Sequence, residues 1–152
     1  MNPGYTAWAP IFSEEPYYML QCDFCYMIGP DMFDEFVKPE LAATCKRLDN
    51  AFYHLDGPGQ LPHLDSLLEI DELAGVQWVH GDGQRDGSQW PEVYRKIRQA
   101  GKRMQLLDDM PRVIDAVCKQ VGGPKGMIAF VYGKLEDRDA ICRYLERYGV
   151  EP

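Results

Sequence analysis

Residues 53–57 read Tyr-His-Leu-Asp-Gly at the end of an expected strand. Side chains alternate faces along a strand, so His54 and Asp56 share one face and Tyr53 and Leu55 the other. A His-x-Asp pair at a strand exit can bind a divalent metal ion or move a proton. It can equally form a hydrogen bond that ties down a loop. Gly57-Pro58-Gly59 then turns the chain toward a helix.

Polar residues recur at the ends of the other expected strands. The first ends in Gln21 and Asp23, two residues apart and on one face. The third ends in His80-Gly81-Asp82-Gly83, with Trp78 on the face of His80. The fourth carries Gln105 and then Asp108-Asp109, and the fifth ends in Tyr132-Gly133. Most have a plain structural explanation. Asp108 or Asp109 suits a helix N-cap, Asp82-Gly83 suits a turn, and Gln105 suits a hydrogen-bonded core position as well as a pocket. Asp23 differs, because a carboxylate on a strand face needs a partner.

Cys22-x-x-Cys25 looks like half of a zinc site, but no second C-x-x-C or C-x-x-H follows. Residues three apart on a strand also face opposite sides. Cys45, Cys118 and Cys142 fit packing roles on helices. His63, at a helix start, is either a surface residue or a neighbour of the site. The chain has no phosphate loop, dinucleotide fingerprint or nucleophile elbow.

These residues need elements to hold them. Tyr17–Asp23 reads as a strand, and Gly29-Pro30 opens a helix with Pro at its first position. Phe33, Phe36, Val37, Leu41, Cys45 and Leu48 form its apolar stripe, and Pro39 is expected to break it in two. Ala51–Asp56 is the second strand, followed by a helix with Leu61, Leu64, Leu67 and Leu68. Gly75–His80 is the third. Its helix carries Trp90, Val93, Tyr94 and Ile97 and stops at Gly101. Arg103–Leu107 is the fourth strand, before a helix burying Val113, Ile114, Val117 and Val121. Gly126–Tyr132 is the fifth. A last helix runs from about Glu136 to Tyr148, with Ile141 and Leu145 inward.

Successive later strands begin about 25 residues apart, the length of a strand, a helix and two tight loops. That beat predicts an α/β fold of parallel βα units, either a doubly wound sheet or part of a (β/α)8 barrel. Residues 1–16 read as a lead-in segment. Sites on parallel sheets lie at the C-terminal ends of the strands, where these polar residues fall.

The chain has 152 residues, enough for one domain, and is 45% hydrophobic. Its net charge of −8 argues against nucleic acid, which needs a basic face. No apolar run approaches the roughly 18 residues of a membrane span. Five irregularly spaced cysteines and no secretory pattern fit a reducing cytoplasm.

The segment Asp23-Phe24, followed by Gly29-Pro30-Asp31-Met32-Phe33-Asp34-Glu35-Phe36-Val37-Lys38-Pro39, resembles the S-P-x-x-F-x-x-F-x-x-P region of the uroporphyrinogen decarboxylase superfamily, with Gly29 in place of the Ser. His54-Leu55-Asp56-Gly57 resembles the H-x-C-G strand end of that superfamily's corrinoid-dependent methyltransferases. The stretch 76–79 and the element order after it also follow the family, so the resemblance spans about residues 17–148.

The resemblance implies the C-terminal portion of a (β/α)8 TIM barrel, since a whole barrel takes about 250 residues. It implies metal-assisted methyl transfer, with zinc as cofactor and a corrinoid as methyl donor. His54 and Asp56 would be metal ligands and, with Asp23, catalytic residues. Gln21, Trp78, His80, Gln105 and Tyr132 would line the substrate pocket. Asp56 stands where the family has Cys, and Tyr132 stands near its later Cys. A tetrapyrrole decarboxylase is the alternative, but the family's late Asn-Leu-Gly-His-Gly stretch is here Ala129-Phe130-Val131-Tyr132-Gly133. A truncated, non-catalytic piece that needs a partner chain is a third possibility. Five strands of a barrel wall would leave their inner face open, so self-association or a separate N-terminal half-barrel is expected.

Overall fold

The computed structural model describes residues 3–9, 11–107 and 110–151. Asp108 and Asp109, the expected N-cap, lie outside them. A short antiparallel pair, β1 (Tyr5–Thr6) and β2 (Phe12–Ser13), precedes a five-stranded sheet. The sheet comprises β3 (Tyr17–Leu20), β4 (Asn50–Asp56), β5 (Leu73–Val79), β6 (Arg103–Leu106) and β7 (Met127–Ile128), all parallel and in sequential order.

The helices are α1 (Pro30–Met32), α2 (Lys38–Cys45), α3 (Leu64–Leu68), α4 (Pro91–Gln99), α5 (Pro111–Gln120) and α6 (Arg138–Glu146). Two hydrophobic clusters separate the faces of the sheet. One joins Ala51, Tyr53, Leu55, Val76, Trp78, Met104 and Leu106 to residues of α2 through α6. The other joins Tyr17, Met19 and Phe52 to Ala9, Ala7 and Ile11, without a helix. The helices from α2 on therefore cover one face, and the N-terminal segment covers part of the other. A doubly wound sheet would have helices on both.

The strongest periodicities produce the expected elements. Val93, Tyr94 and Ile97 of α4 are buried, as are Val113, Ile114 and Val117 of α5. Pro39 does not break its helix. A π turn, Phe33–Val37, runs directly into α2, and Pro39, which has no N–H to donate back along the helix, follows that turn. The wider turn shifts the apolar stripe, and Phe36 ends 58% exposed. The last helix starts later than expected, at Arg138 after a 3-10 turn. Ile141 and Leu145 are only half-buried. Tyr144 instead ties α6 to α5, its hydroxyl donating to Asp115 at 2.9 Å, and Tyr148 donates to the same carboxylate oxygen. The two hydroxyls, Tyr148 first, hold Asp115 below the usual carboxylate range.

Two strands are shorter than the sequence suggests. β3 ends at Leu20, and Asp23–Met27 winds into a 3-10 turn. β7 keeps only two residues, and residues 129–134 continue without ladder bonds. No helix among the described residues is long and apolar enough to cross a membrane.

Candidate functional site

Strand pairing builds the site. Parallel register sets His54 beside Gln77 and Gln77 beside Gln105. Neighbouring strands lie about 4.8 Å apart, so the three form one polar row across β4, β5 and β6. Ile128 of β7 pairs with Gln105 and continues the row with an apolar group. The row lies on the face away from the helices, because the alternating neighbours Tyr53, Leu55, Val76, Trp78, Met104 and Leu106 all belong to the helix-side cluster.

A cavity of about 240 Å³ opens over this row, lined by Trp8, Ala9, Gln77, Gln105, Leu107, Phe130 and Tyr132. Trp8 meets the His54 ring edge-on, with centroids 4.8 Å apart. Phe130 and Tyr132 stack at 6.2 Å and form the far wall. The loop after β4 is fixed by backbone shape. Gly57 has φ +80°, and a Cβ at Gly59 would lie 2.4 Å from the ring of Tyr26.

Nδ1 of His54 bonds the amide oxygen of Gln77. That oxygen only accepts, so Nδ1 is the donor, and in the neutral ring Nε2 is then the acceptor. Gln105 is 1% exposed, and its amide oxygen has no hydrogen-bond partner. An unpaired buried acceptor costs about 1–3 kcal/mol. The cost is recovered when a ligand N–H or O–H enters the cavity. Gln105→Leu, which keeps the shape and removes the orphan, is therefore expected to leave stability unchanged or raise it by about 1 kcal/mol. Urea unfolding checks this, and a loss beyond about 1 kcal/mol would make Gln105 a structural core residue.

The structure brings together only part of the expected set. His54, Gln105 and Tyr132 gather at the inner face, the last 65% exposed at the cavity wall. Asp56 follows His54 on the same strand face and is exposed. His80 lies beyond the end of β5, with Nδ1 bonded to the carbonyl of Gly81 at 3.0 Å. Asp82-Gly83 is a turn, with the Gly83 N–H donating to the Asp82 carboxylate at 2.9 Å. Gln21 and Asp23 do not share a strand face. Both are exposed beyond the end of β3, so the Asp23 carboxylate meets water and needs no buried partner.

Trp78 does not line the cavity. It is 1% exposed and packs against Trp90 on the helix side at 5.0 Å. It is two residues before His80, but the strand ends at Val79, so the alternation that would have paired them stops. His63 is a buried residue behind β4, stacked on Phe33 at 4.7 Å, with its Nε2–H donating to the Cys25 carbonyl at 2.8 Å.

Gln77, Trp8 and Phe130 were not among the expected site residues. Gln77 carried a signal in the sequence, an amide inside the otherwise apolar run Val76–Val79. Trp8 carried none, since only the folding of the N-terminal segment over the sheet puts it there. Among the described residues no three His, Cys, Asp or Glu side chains cluster as a metal site. No family model, curated protein or solved structure matches the chain.

Proposed function

We propose that the chain is the C-terminal portion of a barrel of the uroporphyrinogen decarboxylase type, and that its inner-face cavity serves metal-assisted methyl transfer in the style of the corrinoid-dependent enzymes. Sequential parallel strands with the covering helices on one face support the barrel reading. They join the Gly29–Pro39 and His54–Gly57 motifs in supporting the family.

The observation that carries the functional reading is the state of His54. A metal-binding His characteristically donates its other ring N–H to a fixed acceptor, which sets the tautomer. Gln77 is such an acceptor, and it leaves Nε2 of His54 free to bind an ion. Asp56, on the same face, offers a second ligand. Catalytic zinc usually takes three protein ligands, so the third must come from outside this described set. A divalent ion held there would favour the thiolate form of a thiol substrate, the nucleophile that accepts a methyl group. The residues of this chain orient what enters. Gln105 offers an acceptor to a donor on the substrate, while Trp8, Phe130 and Tyr132 enclose its apolar part.

Decarboxylation of a tetrapyrrole is the weaker reading. The family's decarboxylases carry a His in their late-strand stretch, and the matching residues here, Ala129-Phe130-Val131-Tyr132-Gly133, include none.

Elemental analysis tests the metal reading. Protein loaded with zinc and freed of excess is expected to retain the ion, and His54→Ala is expected to lose most of it. Two protein ligands predict weak retention, which a chelator strips readily. Equal metal in the two proteins would end the metal reading and leave His54 as a hydrogen-bonding or proton-transfer group.

A further inference from the structure

Cys22 and Cys25 take no part in the cavity. They lie where the chain leaves β3, and both are free thiols. Because β3 ends at Leu20, they are not on a strand, and strand alternation does not set them on opposite faces. The Cys25 N–H donates to the Cys22 carbonyl at 3.1 Å, closing a 3-10 turn. A turn closed by that bond brings its first and fourth residues close together. Two Cys residues on one tight turn fall within the Cα separation that a disulfide needs.

Three side chains hold this turn from behind. The Tyr53 hydroxyl donates to the Gln60 amide oxygen at 3.1 Å, and the Gln60 amide nitrogen donates to the Cys22 carbonyl at 3.3 Å. His63 holds the Cys25 carbonyl. Cys22 is half-buried and Cys25 fully buried. One thiol is therefore open to a reagent, and the other waits behind it.

We propose that Cys22 and Cys25 form a reversible intramolecular disulfide, closed by exchange with a small-molecule disulfide of the glutathione class. The Cys22 thiolate attacks one sulfur of oxidised glutathione. That S–S bond breaks, and one glutathione leaves as a thiolate and takes up a proton. Cys25 then attacks the Cys22 sulfur of the mixed disulfide and gives up its proton, while the second glutathione is expelled as a thiolate and takes that proton up. The two protein thiols give up two electrons, and one glutathione disulfide becomes two thiols.

The surroundings set the kinetics. Burial first, and then the neighbouring Cys22 thiol, push the Cys25 thiol up to about 12. Ring closure is therefore the slow step, and its rate rises about tenfold per pH unit below that value.

The test uses the whole chain, equilibrated across graded ratios of oxidised to reduced glutathione, quenched with N-ethylmaleimide under denaturing conditions and read by intact and peptide mass. The expected product has lost two hydrogens, carries a Cys22–Cys25 link, and is labelled at Cys45, Cys118 and Cys142. Cys25→Ser should stop at a glutathione adduct on Cys22. Cys22→Ser, at the more exposed position and so the milder change, should leave Cys25 unmodified in the folded protein. A lasting glutathione adduct on Cys22 in the native sequence would overturn the proposal. So would a link from either cysteine to a third, or no oxidation at the most oxidising ratio.

Discussion

Trp78→Ala is expected to cost about 3–5 kcal/mol of folding stability, the range for truncating a buried aromatic. The indole is the largest of the fully buried side chains, and it sits between β5 and α4. It meets Trp90 edge-on at 5.0 Å. Trp90 in turn donates its N–H to the Arg85 carbonyl at 3.1 Å and carries the Arg85 guanidinium 4.0 Å from its ring centre. The substitution opens a cavity and loosens the loop that these contacts anchor. A domain of this size has about 5–15 kcal/mol in total, so the loss should be plain in urea unfolding followed by circular dichroism. A change under about 1 kcal/mol would show that Trp78 is not a core residue. Lost ligand binding at unchanged stability would return it to the pocket.

The second large effect concerns assembly. The chain alone is expected to associate with itself, or with a separate N-terminal half-barrel, rather than remain a monomer. The helices protect one face of the sheet, and the segment around Ala9 and Ile11 covers part of the other, in a cluster that reaches Ala74 of β5 and Ile128 of β7. On the β6–β7 side Leu107 is 52% and Tyr132 65% exposed. β3 and β7 end the sheet, and an unpaired edge strand is a template for another chain. A closed barrel would cover these groups with its remaining strands. Light scattering at low micromolar concentration measures the outcome. A compact monomer that unfolds cooperatively would mean that the N-terminal segment closes the inner face well enough by itself, and the open-barrel reading would have to go.

How much of this was legible depended on whether local chemistry or distant packing decided the outcome. α4 could be read because Val93, Tyr94 and Ile97 recur at helical spacing, and α5 because Val113, Ile114 and Val117 do the same. The face of His54 followed from strand alternation. The end of β3 could not be read, because Gln21–Asp23 has no breaker residue. What ends pairing there is a turn held by Gln60 and His63, about forty residues away in sequence, through the carbonyls of Cys22 and Cys25. The same ending moved Asp23 to the surface and set Cys22 beside Cys25.

The sequence by itself determined the parallel βα order, the helix-side core and the presence of a His-x-Asp pair at a strand end. These follow from periodicity, which acts over a few residues and is written in the side chains. Only the tertiary structure decided which polar groups meet. The row His54–Gln77–Gln105 exists because register aligns three strands whose spacing in the chain bears no relation to their spacing in the sheet. Trp8 joins them because the open inner face has apolar groups to cover, and the N-terminal segment is the part of the chain that reaches it.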